Sequence, residues 1–373
     1  MRVLEIAGAS PRERGVDRGR QVASVVRAHW PVHLQLFALA GWSEAEVREH
    51  ALASIDALGD WWPDGRDEIA GVAEGAGLEP WVAAALGART ELLVAKGGPD
   101  AHAGATGAGH PGRECTILAT LAPAAATQVW DWHRELAGAW HAQQVRGGPL
   151  AFAGITEHGI CAKVGMNEVG VGVLLAILSH AEDRVGGVPI HSVLHRILAE
   201  AETVEAALAI AASARVTSSS VLTLVGPTAD RGRMTAAIEL SPAGSERIEP
   251  EPDALGQHWL PRTNHFLSRR LAAGSRTFRG DPDSDDRLRL LRARIAARAG
   301  VEPVRGALDL VPMLRTAPGA ELGDICCVAR PEQPLGRAWQ TLATVAIDAE
   351  GLTIIEGSPL ERPRARLHVP LDS

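Results

Sequence analysis

From Cys115 onward this chain is cut into short apolar runs. "CTILATL", "TQVWDW", "HAQQVR", "LAFAGI", "GICAKVG" and "GVGVLLAIL" succeed one another at short intervals, with glycine or proline between them. A parallel strand pair needs a crossover of about a dozen residues or more, and no such interval separates these runs. They read as a meandering antiparallel sheet. The first two form a hairpin with a loose loop around Pro123, whose ends bring Cys115 beside Trp130-Asp131-Trp132. That brings an acid near a thiol, with Asp131 alternating to the face opposite both rings.

Before this switch the chain is helical. Gln21 to Ala40, Ser43 to Ala57, Trp62 to Ala76 and Trp81 to Lys96 carry apolar positions at three- and four-residue spacing, and Ser43 with Glu46 is a capping box. The stretch "GGPDAHAGATGAGHPGRE" has turn formers without periodicity and reads as an exposed, mobile loop. After the meander, helices return between Ile190 and Ala214. Two strand-like runs follow, "VLTLVG" and "MTAAIELSP", then a basic helix from Asp286 to Ala299 and a closing hairpin of "QTLATVAID" and "LTIIEG". The order implies an α+β chain with two sheets and helices outside them, not a doubly wound parallel sheet.

Composition removes several function classes. A net charge of -8 gives no basic footprint for nucleic acid. The longest apolar run, Val169 to Leu178, is too short and glycine-rich to span a membrane. Charges and glycines interrupt the first residues at once, so a cytoplasmic protein is expected. The four cysteines include no CxxC pair, which argues against disulfide scaffolding and a thiolate zinc site, and Cys326-Cys327 reads as buried strand. His191 and His195 share a helix face, but no acidic ligand stands at the expected spacing and no HExxH occurs, so no metal is expected. "GVGVLLAIL" lacks the GxGxxG order, which leaves no cofactor expected, and no GxSxG elbow is present. Tyrosine is absent, so acid, base and nucleophile come from other residue types.

The chain resembles the acyl-coenzyme A:6-aminopenicillanic acid acyltransferase family, self-processing N-terminal-nucleophile hydrolases whose members include carcinine hydrolase-like proteins. The likeness runs through "SPRERGVDRGRQ", "WWPDGRDEIAGVAEGAG", "RTELL", "ECT" and "WDW", and is densest in "GITEHGICAKVGMNEVGVGV". It continues through "GGVPIHSVLHRIL", "IELSP", "RTNHFL" and "TLATVAID". Several motifs in the same order along almost the whole chain are more specific than any one alone.

The resemblance implies an αββα four-layer sandwich with a helical N-terminal segment. It implies self-cleavage between Glu114 and Cys115 into residues 1–114, a helical subunit that stays bound as a heterodimer partner, and residues 115–373, the catalytic segment. Cys115 would be the nucleophile, and its freed amine, with a pKa of about 7.7–8.0, could take the thiol proton. Asp131 matches the aspartate that holds this amine, and Asn264 the donor to the oxyanion. Thr116, Ser241 and Arg337 are expected to support substrate or oxyanion, Arg337 with a one-residue shift and Ser241 with turn capping as an equal role. The substrate expected is a small N-acyl amide or acyl thioester, with hydrolysis favoured over transfer because the basic run from Arg287 to Arg298 reads as an outer helix. Two rival readings are an uncut, non-catalytic binding relative and a metal-dependent amidase built on the histidines.

Overall fold

The computed structural model describes residues 1–96, 115–276, 284–298, 303–319 and 323–371. The expected loop ending at Glu114, and with it the residue before the expected cut, lies outside the described residues.

The helical segment is longer than its periodicity suggests. After β1 (Val3–Ala7), α1 (Pro11–Leu39) is opened by Ser10, whose hydroxyl accepts from the Glu13 N–H while the Glu13 carboxylate accepts from the Ser10 N–H. Periodicity starts this helix at Gln21 because its first turns meet α3 (Pro63–Ala76) through glycine, not through apolar side chains. A Cβ on Gly15 would lie 2.0 Å from the Glu68 carbonyl oxygen, and one on Gly75 2.1 Å from that of Val16. Only glycine allows so close a backbone approach. Between them α2 (Glu44–Trp61) has the expected Ser43 cap. The stretch read as one helix from Trp81 to Lys96 is two, α4 (Pro80–Gly87) and α5 (Arg89–Val94), broken at Ala88.

The strands form two sheets. The first runs in the order β1, β4 (Trp140–Arg146), β5 (Phe152–Glu157), β6 (Val164–Asn167), β7 (Gly172–Ile177), β8 (Ser220–Pro227), β9 (Arg233–Ser241) and β10 (Gly244–Ile248). The second runs β11 (Glu251–Pro252), β12 (His258–Arg262), β2 (Thr116–Thr120), β3 (Ala125–His133), β13 (Trp339–Asp348), β14 (Gly351–Glu356) and β15 (Arg366–Pro370). All neighbours are antiparallel except β1 and β4. The meander expected from the sequence is present, divided between the sheets.

The sheets pack face to face. The Gln128 amide of β3 donates to the Leu175 carbonyl of β7 at 2.7 Å and accepts from the Leu175 N–H at 3.2 Å, and the Thr235 hydroxyl of β9 donates to the Thr120 carbonyl at 2.7 Å. Outside the first sheet lie α1, α3, α6 (Ile190–Glu200) and α7 (Val204–Ser213). After the single turn α8 (Arg269–Ala272), α9 (Ser284–Ala297) and a 3-10 turn at Ala307–Leu314 cover the other sheet, packing Leu291, Leu310 and Leu314 on Leu118, Val129 and Trp259. The layers are αββα, as expected. No helix among the described residues is long and apolar enough to cross a membrane.

Candidate active site

Cys115 stands immediately before β2 and is 6% exposed. Pairing of Thr116 with Val129 and Ile117 with Gln128 sets Cys115 opposite Trp130. Gln128 faces the first sheet, so by alternation Trp130 and the Cys115 thiol face it too. Trp130 packs edge to face on Trp140 of that sheet, with ring centroids 5.7 Å apart. The thiol therefore points into the seam between the sheets.

The backbone of Cys115 is held from the other side. Arg287, in the first turn of α9 and fully buried, donates through Nη1 to the Thr116 hydroxyl at 2.8 Å and to the Cys115 carbonyl at 3.4 Å. Its Nη2 donates to Oδ1 of Asn264 at 3.0 Å. Asn264 follows β12, and its Nδ2 donates to the Ile177 carbonyl at 2.9 Å, at the end of β7. An asparagine amide has two such hydrogens, so the contact to Ile177 accounts for one. The Asn264 N–H donates to the Ser284 hydroxyl at 2.9 Å, which donates in turn to Thr263 at 3.1 Å. One guanidinium thus joins the Cys115 carbonyl, Thr116 and Asn264. The sequence reading placed Arg287 on an outer, solvated helix; the structure corrects this for Arg287, because Ser284 and Arg287 lie one turn apart on the face that meets β2.

Asp131 lies next to Trp130 on β3 and is buried. It faces the outer layer, opposite to the thiol, and its Oδ1 accepts from the Thr341 hydroxyl, its partner across β13. The Thr341 hydroxyl also accepts from the Cys327 N–H at 2.9 Å. Hairpin pairing does bring acid and thiol together in sequence register, but on opposite faces of the sheet. Burial raises the Cys326 thiol, and the Asp131 charge adds to this.

Three charged groups sit on the thiol side that motif reasoning left without a role. Arg89 of α5 donates through Nε to Oε2 of Glu157 at 2.9 Å and its second arm also reaches that carboxylate. Lys163 donates to Oε1 of Glu157 at 2.9 Å. The Arg89 guanidinium lies 3.8 Å from the Trp132 ring centroid, and the Lys163 ammonium 4.9 Å from that of Trp130 and 5.5 Å from that of Trp132. "GICAKVG", read as a strand, becomes strand only at Val164; the residues before it form the turn that carries Lys163 inward. The signal was present in "RTELL" and "GITEHGICAKVG", but nothing in the sequence joins Arg89 to Glu157.

Residues 125–297 match the model of the acyl-coenzyme A:6-aminopenicillanic acid acyl-transferase family. Over that stretch, a little under half of the chain, the sequence is similar to this family. It contains Asp131, Glu157, Lys163, Asn264 and Arg287, and starts beyond Cys115. Among solved structures the chain is similar to the Caenorhabditis elegans N-acylethanolamine-hydrolyzing acid amidase ortholog, at 13% identity over 69% of this chain and 100% of that one, with a TM-score of 0.42. It is also similar to penicillin V acylase from Agrobacterium tumefaciens, at 13% identity over 64% and 82% of the two chains, with a TM-score of 0.35. No curated protein matches it.

The acyl-transferase resemblance also singled out Ser241 and Arg337. Ser241, inside the family's matched stretch, ends β9 with its hydroxyl accepting from the Ala243 N–H at 3.2 Å. It lines a surface depression of about 490 Å³ with Arg184 and Arg215, where neither Cys115 nor Asn264 takes part. Arg337, beyond that stretch, is half-buried in the turn before β13, whose Trp339 pairs with His133. His191 and His195 do not form a joint metal site. Among the described residues His195 instead meets Glu68 and Cys161, with donor atoms within 4.8 Å of one another. Arg14 and Arg18 already pair with Glu68 at 3.3 and 3.1 Å, and burial, followed by the Glu68 charge, pushes the Cys161 thiol up to about 12. A neutralised carboxylate beside a protonated thiol does not fit a cation.

Proposed function

We propose that this protein is an N-terminal-nucleophile cysteine amidohydrolase, released by self-cleavage between Glu114 and Cys115 and acting on small N-acyl amides. The observation that carries the reading is the Arg287 guanidinium, which fixes the Cys115 carbonyl, the Thr116 hydroxyl and the Asn264 amide on one rigid fork. In the mature enzyme the Cys115 sulfur attacks the acyl carbonyl and the Cys115 amine takes the thiol proton. Asn264 donates to the oxyanion through Nδ2. The tetrahedral adduct collapses to a thioester as the amine leaves with the proton. Water then attacks the thioester and frees the acid and the thiol. Asp131, on the neighbouring strand of the hairpin that Cys115 opens, orients the new amine.

Hydrolysis is favoured over transfer to coenzyme A or another acceptor. Four arginines of the basic helix are committed to partners within the protein: Arg287 to the nucleophile, Arg294 to the carbonyls of Met313 and Arg315, and Arg289 and Arg292 to Asp286 and Glu251. An acyl thioester remains open to water unless a pocket holds an amine and excludes it. Supplying an N-acyl substrate with and without amines, coenzyme A or hydroxylamine should yield mainly free acid, and product dominated by transfer at modest acceptor concentration would reverse this preference.

Expression tests the cut. Wild type should give fragments of roughly 12 and 27 kDa, the proportional shares of the 39.3 kDa chain, and Cys115→Ala a single band. The fragments should co-purify, because the first contributes β1 to the sheet built by the second and five residues pair with β4. An uncut, inactive wild type would favour the binding-protein reading.

A further inference from the structure

We propose that Lys163 is a positioning residue for the nucleophile: its ammonium, clamped by Glu157 over Trp130 and Trp132, is the buried cation that holds Cys115 as a thiolate. This rests on the reading of Cys115 as nucleophile and adds to it the source of the thiol's acidity. The argument begins with the shared face. Cys115 and Trp130 are cross-strand neighbours whose side chains point into the seam, and the ammonium lies 4.9 Å from that ring. Directly opposed side chains on an antiparallel pair have Cβ atoms about 4.5–5.5 Å apart. Lys163 therefore stands over the surface on which the sulfur lies.

Charge balance gives the second observation. Arg89 and Lys163 bring two positive charges and Glu157 one negative, and all three are at most 5% exposed. The groups packed around them do not cancel the surplus. His33 of α1, His133 of β3 and His191 of α6 are held neutral, their pKa values lowered chiefly by burial. Burial pushes Glu91 of α5 toward its protonated form. Asp131 faces the other side of β3, where Arg287 also lies. A surplus positive charge in a low-dielectric seam favours an anion nearby, and a thiolate on Cys115 is one. Burial lowers the Lys163 pKa, Arg89 lowers it further, and Glu157 and the Cys115 thiol raise it again. Arg89 is spent on its two-armed contact with Glu157, whereas an ammonium carries three donors on a flexible stem.

Thiolate absorbance at 240 nm, taken as wild type minus Cys115→Ser across pH, reads this directly, and the absence of tyrosine removes the phenolate signal from that window. The expected wild-type midpoint lies below the ordinary thiol value of about 8.5. Lys163→Gln should move it up by about one unit or more, the range for loss of an opposite charge, and Lys163→Arg should bring it back. An unchanged midpoint in folded Lys163→Gln, with Cys115→Ser inactive, overturns the role of Lys163 and leaves the nucleophile in place. Turnover retained by Cys115→Ser would instead overturn the nucleophile. Where Lys163→Gln does not fold, Lys163→Met takes its place in the same titration: an upward shift of the midpoint relative to wild type supports the proposal, and an unchanged midpoint overturns it.

Discussion

Acidification from pH 7 to pH 5 is expected to destabilise the fold, three buried histidines alone withdrawing about 6 kcal/mol, with a fall in melting temperature on the order of 10 °C. The cause is a set of buried histidines. His33 and His195 are pulled from 6.5 to about 4 and His133 to about 3, with burial the largest cause in each. The folded state keeps these rings neutral, while the unfolded chain protonates them below about 6.5. The unfolded state therefore binds more protons throughout this interval, and stability present above it is lost as the pH falls. Each ring contributes on the order of 2 kcal/mol at pH 5 by this linkage. Glu91 and Asp183 are shifted upward by burial and offset part of the loss, since they take up protons in the folded state. Melting curves at the two pH values decide, and equal midpoints would show that the histidines are not buried as described.

Replacing Asn264 with alanine should lower turnover by about 10²–10³, the usual cost of one oxyanion donor, while substrate affinity changes little. Arg287→Lys should lose activity on a similar scale, because a point charge on a flexible stem cannot serve three acceptors on a planar fork. Arg287 is fully buried, so its variant also needs a melting curve to show that it folds. Folded Asn264→Ala turning over substrate like wild type would remove Asn264 from the reaction, and the same result for Arg287→Lys would reduce the guanidinium to a structural brace.

Much of this architecture was legible because local chemistry and tertiary contacts agree. The β2–β3 hairpin follows from alternation and a loop around Pro123, and the two-sheet plan from runs too closely spaced for crossovers. β1 was not legible: it is five residues at a sheet edge with alternating burial, a weak pattern. The opening of α1 was hidden because glycines stand where apolar residues would mark the contact. Within the site, Cys115, Asp131 and Asn264 could be named from motifs, but the separation of thiol and acid onto opposite faces needed the register. Arg287 could not be told from its neighbours in "RLRLLRARIAAR", since burial against β2, not composition, distinguishes it. The ion cluster was invisible because Arg89 and Glu157 are 68 positions apart.

The most direct measurement is the intact mass of the 115–373 segment after rapid acid quench during turnover of an N-acyl amide, followed by peptide mapping. The account predicts a segment beginning Cys115-Thr116 that gains the mass of the acyl group on Cys115, with hydroxylamine removing it. A segment that begins elsewhere, or an active enzyme whose acyl group is never found on Cys115, would contradict it.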